Sequence, residues 1–321
     1  MKKHIMILFA VLLGLSLGLQ DIAYGEKHTS EDAVEAKYIS YEGVPIYTEV
    51  YNASAKGKEP LIFLHGLGGS YQHAAFLHQP DNPYKTISFD FINHGKSGDV
   101  SSLDWDIYVD NVKAVMDAYG IKKANLVGHS FGADITMMFA KKYPERVKDI
   151  VIIDRAYYNY KDIEQFNLSR KLLDVLEYNP ESGLKWEDLV TLMEMQYEND
   201  ITQTWDIKKK VLLIAGDFSG MLPDPTGLKP SLVDLVVDIK QNPGNYGLTT
   251  EEAAEIPYIT AENIEQFVEF VHQKSREFAS VNHKFKTIKT SYPHTMIRNE
   301  ESKDIVREYV ISFLKNGKVK E

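Results

Sequence analysis

The chain has 321 residues, 44% of them hydrophobic, which is enough for a large packed domain and excludes a disordered or fibrous protein. There is no cysteine, so disulfide scaffolding, a thiolate nucleophile and a zinc-thiolate site are excluded. With 36 basic and 46 acidic residues the formal charge is −10, which argues against nucleic acid or an anionic membrane as the partner.

Residues 1–25 carry Lys2 and Lys3, an apolar run from Ile5 to Leu19, and small residues at Ala23 and Gly25. That is the layout of a secretory signal peptide, so export with cleavage near Gly25 is expected; an uncleaved membrane anchor is the alternative. Removal leaves 34 basic and 45 acidic residues, a charge of −11, and no stable membrane association is expected of the remainder.

In YISYEGVPIYTEVY, alternating residues on either side of Glu42-Gly43 predict a hairpin. Short apolar runs then follow as strand candidates: PLIFLHG, YKTISFDF, ANLVGHS, DIVIID, VLLIAG and KFKTIKT. Helical patterns fall near residues 102–119, 131–142, 260–280 and 299–315, the last capped by Asn299. This alternation predicts an α/β fold, a mostly parallel twisted sheet with helices on both faces. Two spacings exceed what a strand-helix-strand connection needs. Residues 155–207 contain NLSRKLLDVLEY and WEDLVTLMEMQY, both helical in period, and are read as a cap inserted in a core of residues 26–154 and 208–321. A second insertion at about 220–258, with SLVDLVVDI inside it, is expected to be a surface excursion.

The strongest local signal is ANLVGHSFGADITMMFAKK, in which an apolar strand ends at Gly128-His129-Ser130-Phe131-Gly132 and a helix begins at once. A G-x-S-x-G turn between strand and helix exposes its serine as a nucleophile, and side chains at the flanking positions would collide across the bend. The N–H of Phe131, at the helix start, is positioned to donate to a developing oxyanion. A second donor is expected from the loop in LIFLHGLGGS, at the N–H of Leu67.

These segments resemble the α/β-hydrolase superfamily of the lipase, esterase and bacterial-haloperoxidase type. The likeness rests on HGLGGS, on Asp90-Phe91-Ile92-Asn93-His94-Gly95-Lys96-Ser97-Gly98, on GHSFG, on YPERV before a strand, and on a late histidine, across about residues 38–316. Asn93 stands where such proteins often have arginine, a change that touches loop packing. The resemblance implies a catalytic order of Ser, acid, His along the chain, leaving His272, His283 and His294 as bases. His272 lies within a helical run and His283 precedes the last strand. Only His294, after KFKTIKTSYP, reaches the edge of the sheet where Ser130 lies; Pro293 there replaces a frequent glycine. His65, His94 and His129 are expected to orient loops.

The acid stays open. The family's usual position, three residues beyond the glycine ending VLLIAG, is Ser219, which cannot balance an imidazolium. Asp217 is two residues short, about 6 to 7 Å along an extended chain. Asp154, ending DIVIID, is the favoured candidate, with Asp217 the alternative and Asp224, another residue of the insertion or no acid at all as the remaining readings. The expected reaction is cleavage of an ester or related acyl compound, a small molecule, through Ser130, His294 and the acid, with no metal or organic cofactor. Tyr157, Tyr158, Phe166, Met193, Met195 and Trp205 are candidates to line an acyl pocket under the cap. Competing expectations are a Ser-dependent perhydrolase or carbon-carbon hydrolase, and a ligand-binding or signalling protein on the same scaffold.

Overall fold

The computed structural model describes residues 35–178, 182–223 and 230–319. The signal-like segment and Asp224 lie outside the described residues. The hairpin forms from β1 (Glu35–Tyr41) and β2 (Val44–Tyr51), and its two turn residues, Glu42 and Gly43, have φ of 49° and 87°. Positive φ at both central positions matches the right-handed twist of the flanking strands.

The other strands are β3 (Leu61–Leu64), β4 (Thr86–Phe89), β5 (Ala124–His129), β6 (Val147–Ile153), β7 (Lys210–Ala215) and β8 (Phe285–Lys289). Together they make one eight-stranded sheet in the order β1-β2-β4-β3-β5-β6-β7-β8. β2 runs antiparallel to both of its neighbours, and all pairs from β4 to β8 are parallel. Central parallel strands are covered on both faces, which explains why they read as unbroken apolar runs. In β6, Ile150 and Ile152 face one core and Val151 and Ile153 the other.

Helices α1 (Trp105–Ala118) and α2 (Phe131–Lys142) cover the first face. Asp104 caps α1 by accepting the Ile107 N–H at 2.8 Å. Between β6 and β7 lie α3 (Arg170–Glu177) and α4 (Trp186–Glu198), at the expected place of the cap helices. After β7 come α5 (Leu232–Gln241), α6 (Thr250–Glu255) and the long α7 (Ala261–Ser280). The final helix, α8 (Lys303–Asn316), packs Val306, Val310, Phe313 and Leu314 onto the second face. It starts later than expected: the Asn299 side chain accepts the Glu301 N–H at 2.8 Å and closes a separate turn ahead of the helix.

The second insertion is not a surface excursion. Leu232, Leu235, Val236 and Ile239, at the spacing of one helical face, are buried in the same core as the sheet. Lys171 of α3 pairs with Glu252 of α6 at 3.2 Å, so this segment braces the cap. Ile239→Ala is therefore expected to destabilise the fold by about 2–5 kcal/mol in denaturant unfolding, where an excursion would lose almost nothing.

Candidate active site

At the end of β5 the chain turns through Ser130 with φ 53° and ψ −123°, a conformation costly for any residue with a side chain. Its surroundings hold it there. The Ser130 N–H donates to Ile153 O at 3.0 Å, tying the turn to the end of β6. A Cβ on Gly128 would lie 2.3 Å from Gly132 O, and one on Gly132 would lie 2.2 Å from Leu64 O, so both glycines are required by close backbone approach.

The loop after β3 borders the serine, since a Cβ on Gly66 would sit 3.0 Å from Ser130 Cβ. His65 shapes this loop. Its Nε2 accepts the Phe91 N–H at 3.1 Å, so the proton is on Nδ1, which donates to Gly66 O at 2.7 Å. Burial, with His94 beside it, holds this imidazole neutral, well below its ordinary pKa. Phe131 is the first residue of α2, so its N–H has no intrahelical acceptor. Among the described residues no backbone hydrogen bond claims the N–H of Leu67.

His294 follows β8 on a loop held from two sides. The Asp217 N–H donates to Tyr292 O at 2.7 Å, and His129 Nε2 donates to His294 O at 2.8 Å. The His294 Nδ1 lies 2.8 Å from Asp154 Oδ2. Opposite a carboxylate Nδ1 carries the proton, which leaves Nε2 free as a base. Burial pulls the His294 pKa down, but the hydrogen bond and charge of Asp154, with Glu177 of α3 adding to them, outweigh burial and raise it above 6.5.

Asp154 is fully buried at a second strained corner, with φ 53°. Its N–H donates to Ile214 O at 2.8 Å, and its Oδ1 accepts the Gly216 N–H at 2.6 Å and the Tyr157 hydroxyl at 3.3 Å. A Cβ on Gly216 would lie 2.5 Å from Asp154 Oδ2, so only glycine leaves room for the carboxylate. Asp217 is directed elsewhere. Its two oxygens accept the Ser219 N–H at 2.9 Å and hydroxyl at 2.8 Å, and the histidine whose charge it influences is His272. The alternative acid is thus a turn residue, because the chain after Gly216 bends into a short helical turn at Ser219–Met221 and carries the carboxylate with it. His272 is on α7, and exposed His283 precedes β8, at the opposite edge of the sheet.

The corner after Asp154 is locked by a buried network with no obvious sequence motif. Arg155 Nε lies 3.5 Å from Asp134 Oδ2, one turn along α2 from Ser130. Gln196 of α4 donates to the same oxygen at 3.1 Å, and Arg155 also bonds Tyr158 O and stacks over the Tyr160 ring at 4.0 Å. Arg155, Asp134 and Gln196 thereby join α2, the end of β6 and α4. The only sequence hint was an aspartate inside the apolar helix FGADITMMFA. Several candidate pocket residues are instead part of cap packing: Trp205 donates to Ala156 O at 3.0 Å, Phe166 packs on Phe270 at 5.3 Å, and Met193 is buried. Asn93, with φ 61°, ties its loop to α4 by donating to Asp188 at 3.0 Å, a packing role.

A family profile described as the alpha/beta hydrolase fold matches residues 59–200. Over 133 residues, 39% of each chain, the protein is 36% identical to ethanol acetyltransferase 1 of Cyberlindnera jadinii. It is 35% identical over 133 residues to a 2-hydroxy-6-oxononadienedioate/2-hydroxy-6-oxononatrienedioate hydrolase of Paraburkholderia phymatum, covering 39% of this chain and 46% of that one. The match thus spans less than half the length of these relatives. Among solved structures, the α/β hydrolase MGS-M2 from a Medee basin deep-sea metagenome library aligns with a TM-score of 0.60 at 17% identity, covering 89% of this chain and 99% of that one. The chain has the fold of the α/β hydrolases, and the family profile matches its residues 59–200.

Asp154→Asn is expected to lower ester turnover by roughly 10³ to 10⁴, and Asp217→Asn by less than about tenfold, measured with an activated ester. The opposite ranking would assign the acid to Asp217.

Proposed function

We propose that the protein is an exported serine hydrolase that cleaves an ester or related acyl compound through an acyl-enzyme on Ser130. The observation that carries this reading is the contact of His294 Nδ1 with the buried Asp154 carboxylate, beside a serine held in a strained turn between strand and helix. Ser130 Oγ attacks the acyl carbon while His294 Nε2 takes its proton. The N–H groups of Leu67 and Phe131 hold the oxyanion, each worth on the order of 3 kcal/mol in such sites. Collapse of the tetrahedral intermediate expels the leaving group with the proton from His294. Water then repeats the sequence on the acyl-enzyme and frees the acid. Asp154 keeps the proton on Nδ1 and stabilises the imidazolium formed in both halves.

A fluorophosphonate probe should label Ser130 stoichiometrically and fail on Ser130→Ala, as read by mass spectrometry. A folded protein that remains unlabelled would sink the enzyme reading and favour a ligand-binding protein on this scaffold.

The second reading is that an alcohol, rather than water, resolves the acyl-enzyme. It is favoured by the similarity to ethanol acetyltransferase 1. The two share every step up to deacylation. With an activated acetyl ester as donor, added ethanol should yield ethyl acetate in greater proportion than simple competition with water predicts; product in proportion to the ethanol fraction marks a hydrolase.

A further inference from the structure

The overall charge of −10 conceals a segregated one. In a parallel sheet every strand begins at the same edge, and here those beginnings are lysine-rich. Lys58 stands ahead of β3, Lys85 ahead of β4, Lys122 and Lys123 ahead of β5, Lys208 and Lys209 ahead of β7, and Lys284 ahead of β8. Strand pairing confirms that they share an edge: Leu61 pairs with Thr86 and Asn125, and Val211 with Phe285. Among the described residues none of these lysines has a carboxylate within ion-pair distance. Lysines elsewhere on the surface, such as Lys113, Lys142 and Lys185, do.

The carboxylates near this edge do not cancel it. Glu59 is paired with Lys148 at 2.6 Å and Asp117 with Arg146 at 2.7 Å, which leaves Asp149 and Glu145 as the acids acting on Lys209. Burial first, then the positive charge of Lys123, holds the Lys209 ammonium below its ordinary pKa. A hollow of about 430 Å³ opens at the same edge, lined by Lys58, Lys85, Lys122 and Lys123, with Glu59 as its one carboxylate. Aromatic rings steady two of these lysines: Lys58 lies 5.0 Å from the Tyr84 ring centroid and Lys85 5.5 Å from that of Tyr119.

We propose that this edge is a docking surface for an anionic phospholipid bilayer, with a lipid phosphate seated in the hollow among Lys58, Lys85, Lys122 and Lys123. What favours a bilayer over another polyanion is where the chain enters the fold. β1 begins at Glu35, whose partner strand ends beside Thr86, so the described chain starts at the lysine edge. The sequence ahead of it holds the apolar run Ile5–Leu19, joined through residues 20–34. Where that run is kept as an uncleaved anchor, the alternative to cleavage near Gly25, the joining stretch spans at most about 50 Å, so the bilayer would face these lysines at high effective concentration. Ser130 and Asp154 lie at the opposite ends of the strands, so docking by this edge leaves the candidate active site open to solution.

The test uses the chain from Glu26 onward, which retains every element of the described residues. It is co-sedimented with vesicles of phosphatidylcholine alone or mixed equally with phosphatidylglycerol. Binding is expected only to the mixed vesicles at low ionic strength, and is lost as salt screens the lysines. The triple substitution Lys58→Glu, Lys122→Glu, Lys123→Glu should weaken it at least tenfold, with Lys→Gln at the same sites intermediate and denaturant midpoints preserved. The proposal is overturned if mixed vesicles retain no protein, or if the triple variant binds as the parent does. It is equally overturned if heparin or inorganic phosphate binds this edge while vesicles do not.

Discussion

The site depends on one contact, the buried carboxylate of Asp154 against Nδ1 of His294. A carboxylate removed from water is costly unless its oxygens are satisfied, and the structure supplies the Gly216 N–H, the Tyr157 hydroxyl and the imidazole. The same contact requires an unusual backbone. Ser130 and Asp154 end adjacent parallel strands, both with φ 53°, and a conformation of that kind costs on the order of 1–3 kcal/mol. It persists because the surroundings over-determine it: Ser130 N–H on Ile153 O, Asp154 N–H on Ile214 O, and Arg155 locked to Asp134. A buried ion pair of this type adds little net stability compared with an apolar replacement, but losing one partner strands a charge. Its contribution here is geometric, because it fixes the Asp154 corner to the helix after Ser130 and, through Gln196, to α4.

Much of this was legible in the sequence where a residue type has one physical use. Apolar runs of strand length, separated by helical periods, specified the order of elements. The hairpin at Glu42-Gly43 and the turn at Gly128-Ser130-Gly132 were readable because few residues tolerate those conformations. The acid remained open because Asp154 and Asp217 both follow apolar strands, and sequence does not say where a carboxylate points after a turn. What sets them apart in the fold is Gly216, whose role is visible only across strands, where its missing side chain makes room for Asp154. Arg155, Asp134 and Gln196 were missed because each is unremarkable in sequence and they meet only in the fold. The insertion holding α5 was misread for a related reason. Its apolar segment SLVDLVVDI reads as part of a surface excursion, although Leu235 and Ile239 complete the main core.

The parallel sheet also separates two chemistries along its strands. C-terminal ends carry the backbone turns that present Ser130 and Asp154, while N-terminal ends carry lysines. A net charge averages over such a partition, so a whole-chain value of −10 says little about either edge. His129 illustrates how tightly the first edge is built. It stands between Gly128 and Ser130, and its Nε2 donates to the backbone of His294, which couples the Ser130 turn to the His294 loop.

The most direct test of the coupling between Asp154 and His294 is the titration of the His294 imidazole, followed by NMR in histidine-labelled protein. The carboxylate favours the imidazolium, so the pKa is expected above 6.5 and His294 gains its proton at higher pH than an unpaired histidine. Asp154→Asn should lower that pKa, and Asp217→Asn should leave it in place. An unchanged titration in Asp154→Asn, or a fall confined to Asp217→Asn, would contradict the account.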